Sequence, residues 1–110
     1  MMLEVTCRNV ELTERTRAAM DRKASKLSTY LRDPSEIHVH LRRERHTYVA
    51  ELSARGPGQR FQAHAEGDSA RTAFDAASAR LLRTMKRARK RNLDQVHTHV
   101  ERIDGFRESA

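Results

Sequence analysis

Four stretches of this chain alternate apolar and polar residues with a period of two, and each has only one apolar face. Strands of that kind are half-buried, so a sheet built from them needs cover on one side and leaves the other side to water. In the first, Leu3, Val5 and Cys7 alternate with Glu4, Thr6 and Arg8. In the second, Ile37, Val39 and Leu41 alternate with His38, His40 and Arg42. Tyr48, Ala50, Leu52 and Ala54 oppose Val49, Glu51 and Ser53 in the third. Phe61, Ala63 and Ala65 oppose Arg60, Gln62, His64 and Glu66 in the fourth. Arg43 to His46 read as a polar turn between the second and third strands, and Gly56-Pro57-Gly58 is a hairpin signal between the third and fourth.

The cover comes from two stretches with helical period. Thr13 is a good N-cap, Glu14 places a carboxylate in the first turn, and Leu12 just before the cap can staple back onto the helix. Thr16, Met20, Ala24, Leu27 and Leu31 form one stripe, so the spacing predicts a helix to about Leu31. Arg32-Asp33-Pro34 stops it, because the residue before proline is pushed out of the helical region. Gly67 ends the fourth strand and Asp68 or Ser69 caps a second helix, with Phe74, Ala77, Leu81, Met85 and Ala88 on its apolar stripe.

The order β-α-β-β-β-α defines an α/β (α+β) two-layer sandwich, a four-stranded mixed sheet with two helices on one face. A crossover through the first helix makes the first two strands parallel neighbours, and the others are most simply antiparallel hairpins. At 110 residues the chain is one domain, and 37% hydrophobic content without Trp gives a modest core. The domain is expected over residues 1–92, followed by a C-terminal extension over 93–110. There Leu93, Val96, Val100 and Ile103 have helical spacing, which suits either a short amphipathic helix or a frayed tail, with disorder from Gly105 onward.

Charge is the second constraint. The net charge is +7, and seven of the twelve residues from Arg80 to Arg91 are Lys or Arg with no acid among them. On a helix, Arg80, Arg83, Arg87, Lys90 and Arg91 line a face beside the apolar stripe. Like charges three and four residues apart repel by about 0.2–0.5 kcal/mol per pair. A solvated face usually mixes both signs. A face that keeps one sign suits an anionic polymer, and phosphate backbones are the commonest.

Other chemistry finds little support. A single cysteine, Cys7, makes no internal disulfide and no metal site, and its place in the alternation reads as a small buried hydrophobe. His38 and His40 share a strand face, with His64 a candidate third imidazole, but no Cys or carboxylate clearly completes a zinc set. The sequence holds no Gly-rich phosphate loop, no G-x-S-x-G and no H-E-x-x-H, so neither an enzyme nor a cofactor is expected. No secretory leader or membrane span is legible, and a cytoplasmic protein is expected. Tyr30 and Phe61 are potential base-stacking rings that packing also explains. Arg42, Arg43 and Arg45 make a small basic turn beside Glu44, as much solvation as contact.

The residues also carry a family resemblance. The opening strand followed by R-N-V-E-L-T (Arg8 to Thr13), then K-x-x-K-L-x-x-Y (Lys23 to Tyr30), F-Q-A-H-A-E-G-D (Phe61 to Asp68) and A-F-D-A-A-x-x-R-L-x-R (Ala73 to Arg83), resembles the ribosome hibernation-promoting factor and ribosome-associated inhibitor family. The match runs in order from about Met2 to Arg91. The resemblance implies the same β-α-β-β-β-α fold, similar in outline to double-stranded-RNA-binding domains. It further implies a non-enzymatic factor of stress and stationary phase that binds the small ribosomal subunit where messenger RNA and the A- and P-site transfer RNAs would lie. On that resemblance Lys23, Lys26, Arg80, Arg83, Arg87 and Arg89 are expected to contact ribosomal RNA phosphates, with Lys86, Lys90 and Arg91 extending the surface.

Three positions depart from the family pattern. Cys7 stands where glycine is frequent, Ser69-Ala70-Arg71 replaces an acidic-Met-Tyr start to the second helix, and the chain ends at Ala110 without the dimerisation domain of long members. The oligomeric state is open in the sequence, with a monomer as the default expectation, and neither a membrane nor a small-molecule substrate is expected. The alternatives are a generic structured-RNA-binding module and a protein-interaction regulator such as a sigma-factor modulator.

Overall fold

The computed structural model describes residues 1–109, with side chains described for residues 1–92. Its elements are β1 (Met2–Arg8), α1 (Glu14–Ser28), β2 (Glu36–Glu44), β3 (Thr47–Gly56), β4 (Gln59–Gly67) and α2 (Ala70–Ser109). The sheet order is β1-β2-β3-β4, with β1 parallel to β2 and the other pairs antiparallel. This is the expected mixed sheet with two helices on one face.

The register sorts the faces. Cys7, Leu41, Ala50 and Ala65 form one inward row, Val5, Val39, Leu52 and Ala63 the next, and Leu3, Ile37, Ala54 and Phe61 the third. Under α2, four inward positions of β3 and β4 are alanines (Ala50, Ala54, Ala63 and Ala65), which lets Phe74, Leu81 and Met85 fill the space over the sheet; all three are buried. Met20, Ala24 and Leu27 complete the core from α1. Val49 is buried on the outward face, where the central position of β3 gives it neighbours on both sides.

The caps follow the sequence. Thr13 Oγ1 accepts from the Thr16 amide at 3.2 Å, and Ser69, not Asp68, caps α2 by accepting from the Thr72 amide at 3.1 Å. Helix α1 ends at Ser28, short of the expected Leu31. The chain tightens there into i→i+3 turns, Tyr30 N–H to Leu27 O at 3.1 Å and Leu31 N–H to Ser28 O at 3.0 Å.

The expected turn from Arg43 to His46 shrinks to Arg45-His46, because the ladder carries Arg43 and Glu44 into β2. Cys7 is a second correction. It faces inward but is exposed, since β1 is an edge strand with no neighbour on its outer side. Partial burial still pushes its thiol pKa up, against the opposing pull of Arg17.

The hairpin of β3 and β4 is tied to the loop after α1 through Gln59. Its Oε1 accepts from the Arg32 amide at 2.7 Å, and its Nε2 donates to Tyr30 O at 3.3 Å. A Cβ on Gly67 would lie 2.7 Å from the Ala73 nitrogen, so glycine there lets α2 start hard against the end of β4.

Helix α2 runs to Ser109, through the stretch expected as a separate extension and through Gly105. The side chains of its expected stripe, Leu93 to Ile103, lie outside the described residues. No described helix is long and apolar enough to cross a membrane.

Candidate nucleic-acid interface

All nine basic residues singled out from the sequence are exposed: Lys23 and Lys26 on α1, and Arg80, Arg83, Lys86, Arg87, Arg89, Lys90 and Arg91 on α2. The only acidic residue of α2 up to Asn92 is Asp75, and it is paired with Arg71 at 3.1 Å. Among the described residues, no ion pair involves any of the nine.

Four contacts fix which way each helix flank points. Arg80 Nη1 donates to His64 O on β4 at 2.7 Å. The Arg89 guanidinium lies 5.2 Å from the centroid of the Tyr30 ring. On α1, Arg17 is near enough to the β1 edge for its charge to pull on the Cys7 thiol, and Thr16 lines a cleft with Ser69, Ala70 and Arg71. At about 100° per residue, Arg87 and Arg91 then continue the Arg80 flank on the β4 side. Arg83 and Lys90 crown the helix, while Lys86 and Arg89 turn toward α1. Lys23 and Lys26 occupy the flank of α1 that faces them. The nine residues thus divide into a cluster rimming the groove between the helices, a crest, and a flank above the β4 edge.

They are not equivalent. Arg80 spends part of its guanidinium on a sheet carbonyl, and the Arg89 cation lies over an aromatic ring. Neither role is visible in a pattern of charges. The basic turn also resolves: Arg42 pairs with Glu44 at 2.7 Å and with Glu51 at 2.6 Å, while Arg43 stacks on Tyr48 with its guanidinium 5.7 Å from the centroid.

The outward face of the sheet has a different character. By register it carries the rows Glu4-His38-Ser53-Gln62 and Thr6-His40-Glu51-His64. His38 sits 3.3 Å from Glu4 and 3.4 Å from Glu36. Hydrogen bonding from Arg42, with a smaller pull from Arg42, His40 and His64 charges, holds the Glu51 carboxyl below its ordinary range. Hydrogen bonds to Glu51 and Glu44 push the Arg42 pKa up in return. His64 does share the face with His38 and His40, as expected, but among the described residues no three His, Cys, Asp or Glu side chains converge as a metal set. Acids and bases are interleaved here and Arg42, Glu44 and Glu51 are paired, whereas on the helical side cations outnumber the acids Glu14, Asp21 and Asp75.

Fold and charge together define a class: a small α/β sandwich with a cationic helical face and a sheet face of mixed charge. The chain belongs to the family described as sigma 54 modulation protein / S30EA ribosomal protein, whose sequence model matches residues 3–92. It is 31% identical over 87 residues to a ribosome hibernation promoting factor of Salmonella typhimurium, covering 79% of this chain and 92% of that protein. The Escherichia coli K12 protein of the same name is 31% identical over 85 residues, covering 77% of this chain and 90% of the relative. Among solved structures, the N-terminal domain of Thermus thermophilus Protein Y superposes with a TM-score of 0.70 at 26% identity, covering 79% of this chain and 98% of that one. A ribosomal subunit interface protein from Coxiella burnetii shares the fold, with a TM-score of 0.62 at 17% identity, covering 82% of this chain and 99% of that chain.

Proposed function

We propose that this protein is a ribosome hibernation factor that binds the small ribosomal subunit at the messenger RNA channel and the A and P transfer RNA sites. The observation that carries this reading is the one-sided charge: nine exposed cations on the helices, none of them in an ion pair among the described residues, opposite a sheet face where acids are interleaved with bases and Arg42 is neutralised by Glu44 and Glu51. Such a face meets structured RNA through shape and backbone phosphates, with arginine forks gripping phosphate oxygens. Family membership and the names of the relatives point to the ribosome as the source of that RNA. Inhibition then follows from occupancy: one volume cannot hold both the factor and the anticodon stems. No bond needs to be made or broken, and the idle ribosome is held in an inactive form.

The test is sucrose-gradient co-sedimentation with bacterial small subunits at low and high salt. The informative variant carries Arg83→Glu, Arg87→Glu and Lys90→Glu, because these side chains make no described contact within the fold. Salt-sensitive binding that the variant loses supports the reading. A wild-type protein that stays at the top of the gradient at low salt overturns it and favours free RNA or a protein partner.

A further inference from the structure

Where α1 ends early, the fold builds a small site that phosphate binding alone does not explain. Tyr30 lies in the tightened turn after α1 and packs, half-buried, against the core. Beside it Leu31, Phe61 and Met85 line the same concave surface, so its floor is apolar. Arg89 lies across the Tyr30 ring, and Asn92 stands on the rim.

The state of the polar groups decides what this site suits. Gln59 is committed to the backbone of Tyr30 and Arg32, and one nitrogen of Arg32 donates to Pro57 O at 3.3 Å. Among the described residues, Arg89 and Asn92 make no side-chain hydrogen bond. The ring therefore holds the Arg89 cation in place without consuming its donors. A guanidinium held over a ring beside an apolar floor keeps its planar surface and its donors for a ligand, and an unstacked base uses both.

We infer that the Tyr30–Arg89 surface is a subsite for one unpaired RNA nucleobase, stacked on the Arg89 plane with its edge toward Asn92. The inference rests on the RNA reading above and adds a substrate class to it. Duplex RNA keeps its bases stacked internally and offers only its backbone and groove edges, which leave an apolar floor unused. A phosphate has no use for that floor either. A splayed base presents a flat apolar face and a polar edge, and the neighbouring cations of α2 supply partners for the phosphates on either side.

The experiment compares two short single-stranded RNAs of equal length and charge. One carries 2-aminopurine at a central position, and the other is abasic there. The wild-type protein is expected to bind the base-containing strand about tenfold more tightly and to quench its fluorescence, within the range for one stacked base. Arg89→Lys keeps the charge but removes the plane, so that preference and the quenching are lost. Tyr30→Phe keeps the ring and retains both, which separates stacking from any loss of fold.

Equal affinity for the two strands, or a preference untouched by Arg89→Lys, overturns the inference. Co-sedimentation of Arg89→Lys with small subunits keeps the two readings apart. Base preference without wild-type ribosome binding retires the ribosome and leaves the subsite standing. Ribosome binding without base preference does the reverse.

Discussion

Arg80 and Arg83 stand three positions apart on one helix and look alike in the sequence, yet only Arg80 reaches back to the sheet. Removing it leaves the His64 carbonyl on the open edge of β4 without this charged partner. Arg80→Ala is therefore expected to lower the melting temperature, while Arg83→Ala leaves it unchanged and weakens only RNA binding; thermal melts of the two variants check this. Glu51 gives a pH prediction. Its folded pKa lies below the ordinary 4.5, mainly because Arg42 hydrogen-bonds the charged form. The unfolded chain therefore takes up a proton first as pH falls. The stability contributed by the pair is present above pH 4.5 and is lost as pH drops through the lowered folded value. Both side chains are about half-exposed or less, so the effect is small. Urea unfolding should show the wild type ahead of Glu51→Gln at neutral pH, with the gap closing in acid. Residue type and spacing made the basic face legible, but not which arginine carries structure, since that depends on what lies across the fold.

At the scale of elements, the period-two strands and the capped helices were legible because each obeys local rules: alternation, an oxygen at the N-cap, a proline after the end. The misplacements occur where a distant element intervenes. Helix α1 stops three residues early and the following turn is held by Gln59, which is some 30 positions away and unremarkable in its own strand. Arg43 and Glu44 join β2 because the ladder to β3 continues past the last apolar residue. Cys7 keeps its inward phase but loses its burial to the sheet edge. Helix α2 packs its buried stripe on the alanines of β3 and β4. Phe74, only 1% exposed, should lose about 3–5 kcal/mol on truncation to Ala. Gly67→Ala forces a methyl group against the first turn of α2 and should cost about 1–3 kcal/mol. Chemical denaturation measures both, and a neutral Gly67→Ala would refute the close approach.

For the whole molecule, the separation of charge between faces sets the response to salt. If about six phosphates are neutralised, log affinity should fall against log salt with a slope of roughly −4 to −5. That amounts to a loss of roughly 300- to 1,000-fold between 0.05 and 0.2 M salt. Replacing Arg83 and Arg87 by Gln should make the slope shallower by about 1 per lost contact, whereas His38→Gln on the sheet face should leave it unchanged. Filter binding across a salt series reads all three. The class of partner was legible in the net charge and the basic run. The division of the cations into groove, crest and flank was not, because it depends on how the two helices are set over the sheet.

One pairing also bears on how the molecule is made. β1 is parallel to β2, so its hydrogen bonds cannot close until α1 and the whole of β2 exist, whereas β2, β3 and β4 meet through short hairpins. Loop-closure entropy delays the long-range pair, so the meander and the helix behind it form the nucleus and β1 docks afterwards. Val5→Ala should then speed unfolding in stopped-flow measurements and leave the refolding rate nearly unchanged. During synthesis β1 leaves the ribosome ahead of its partner and waits, unpaired, for the rest of the sheet.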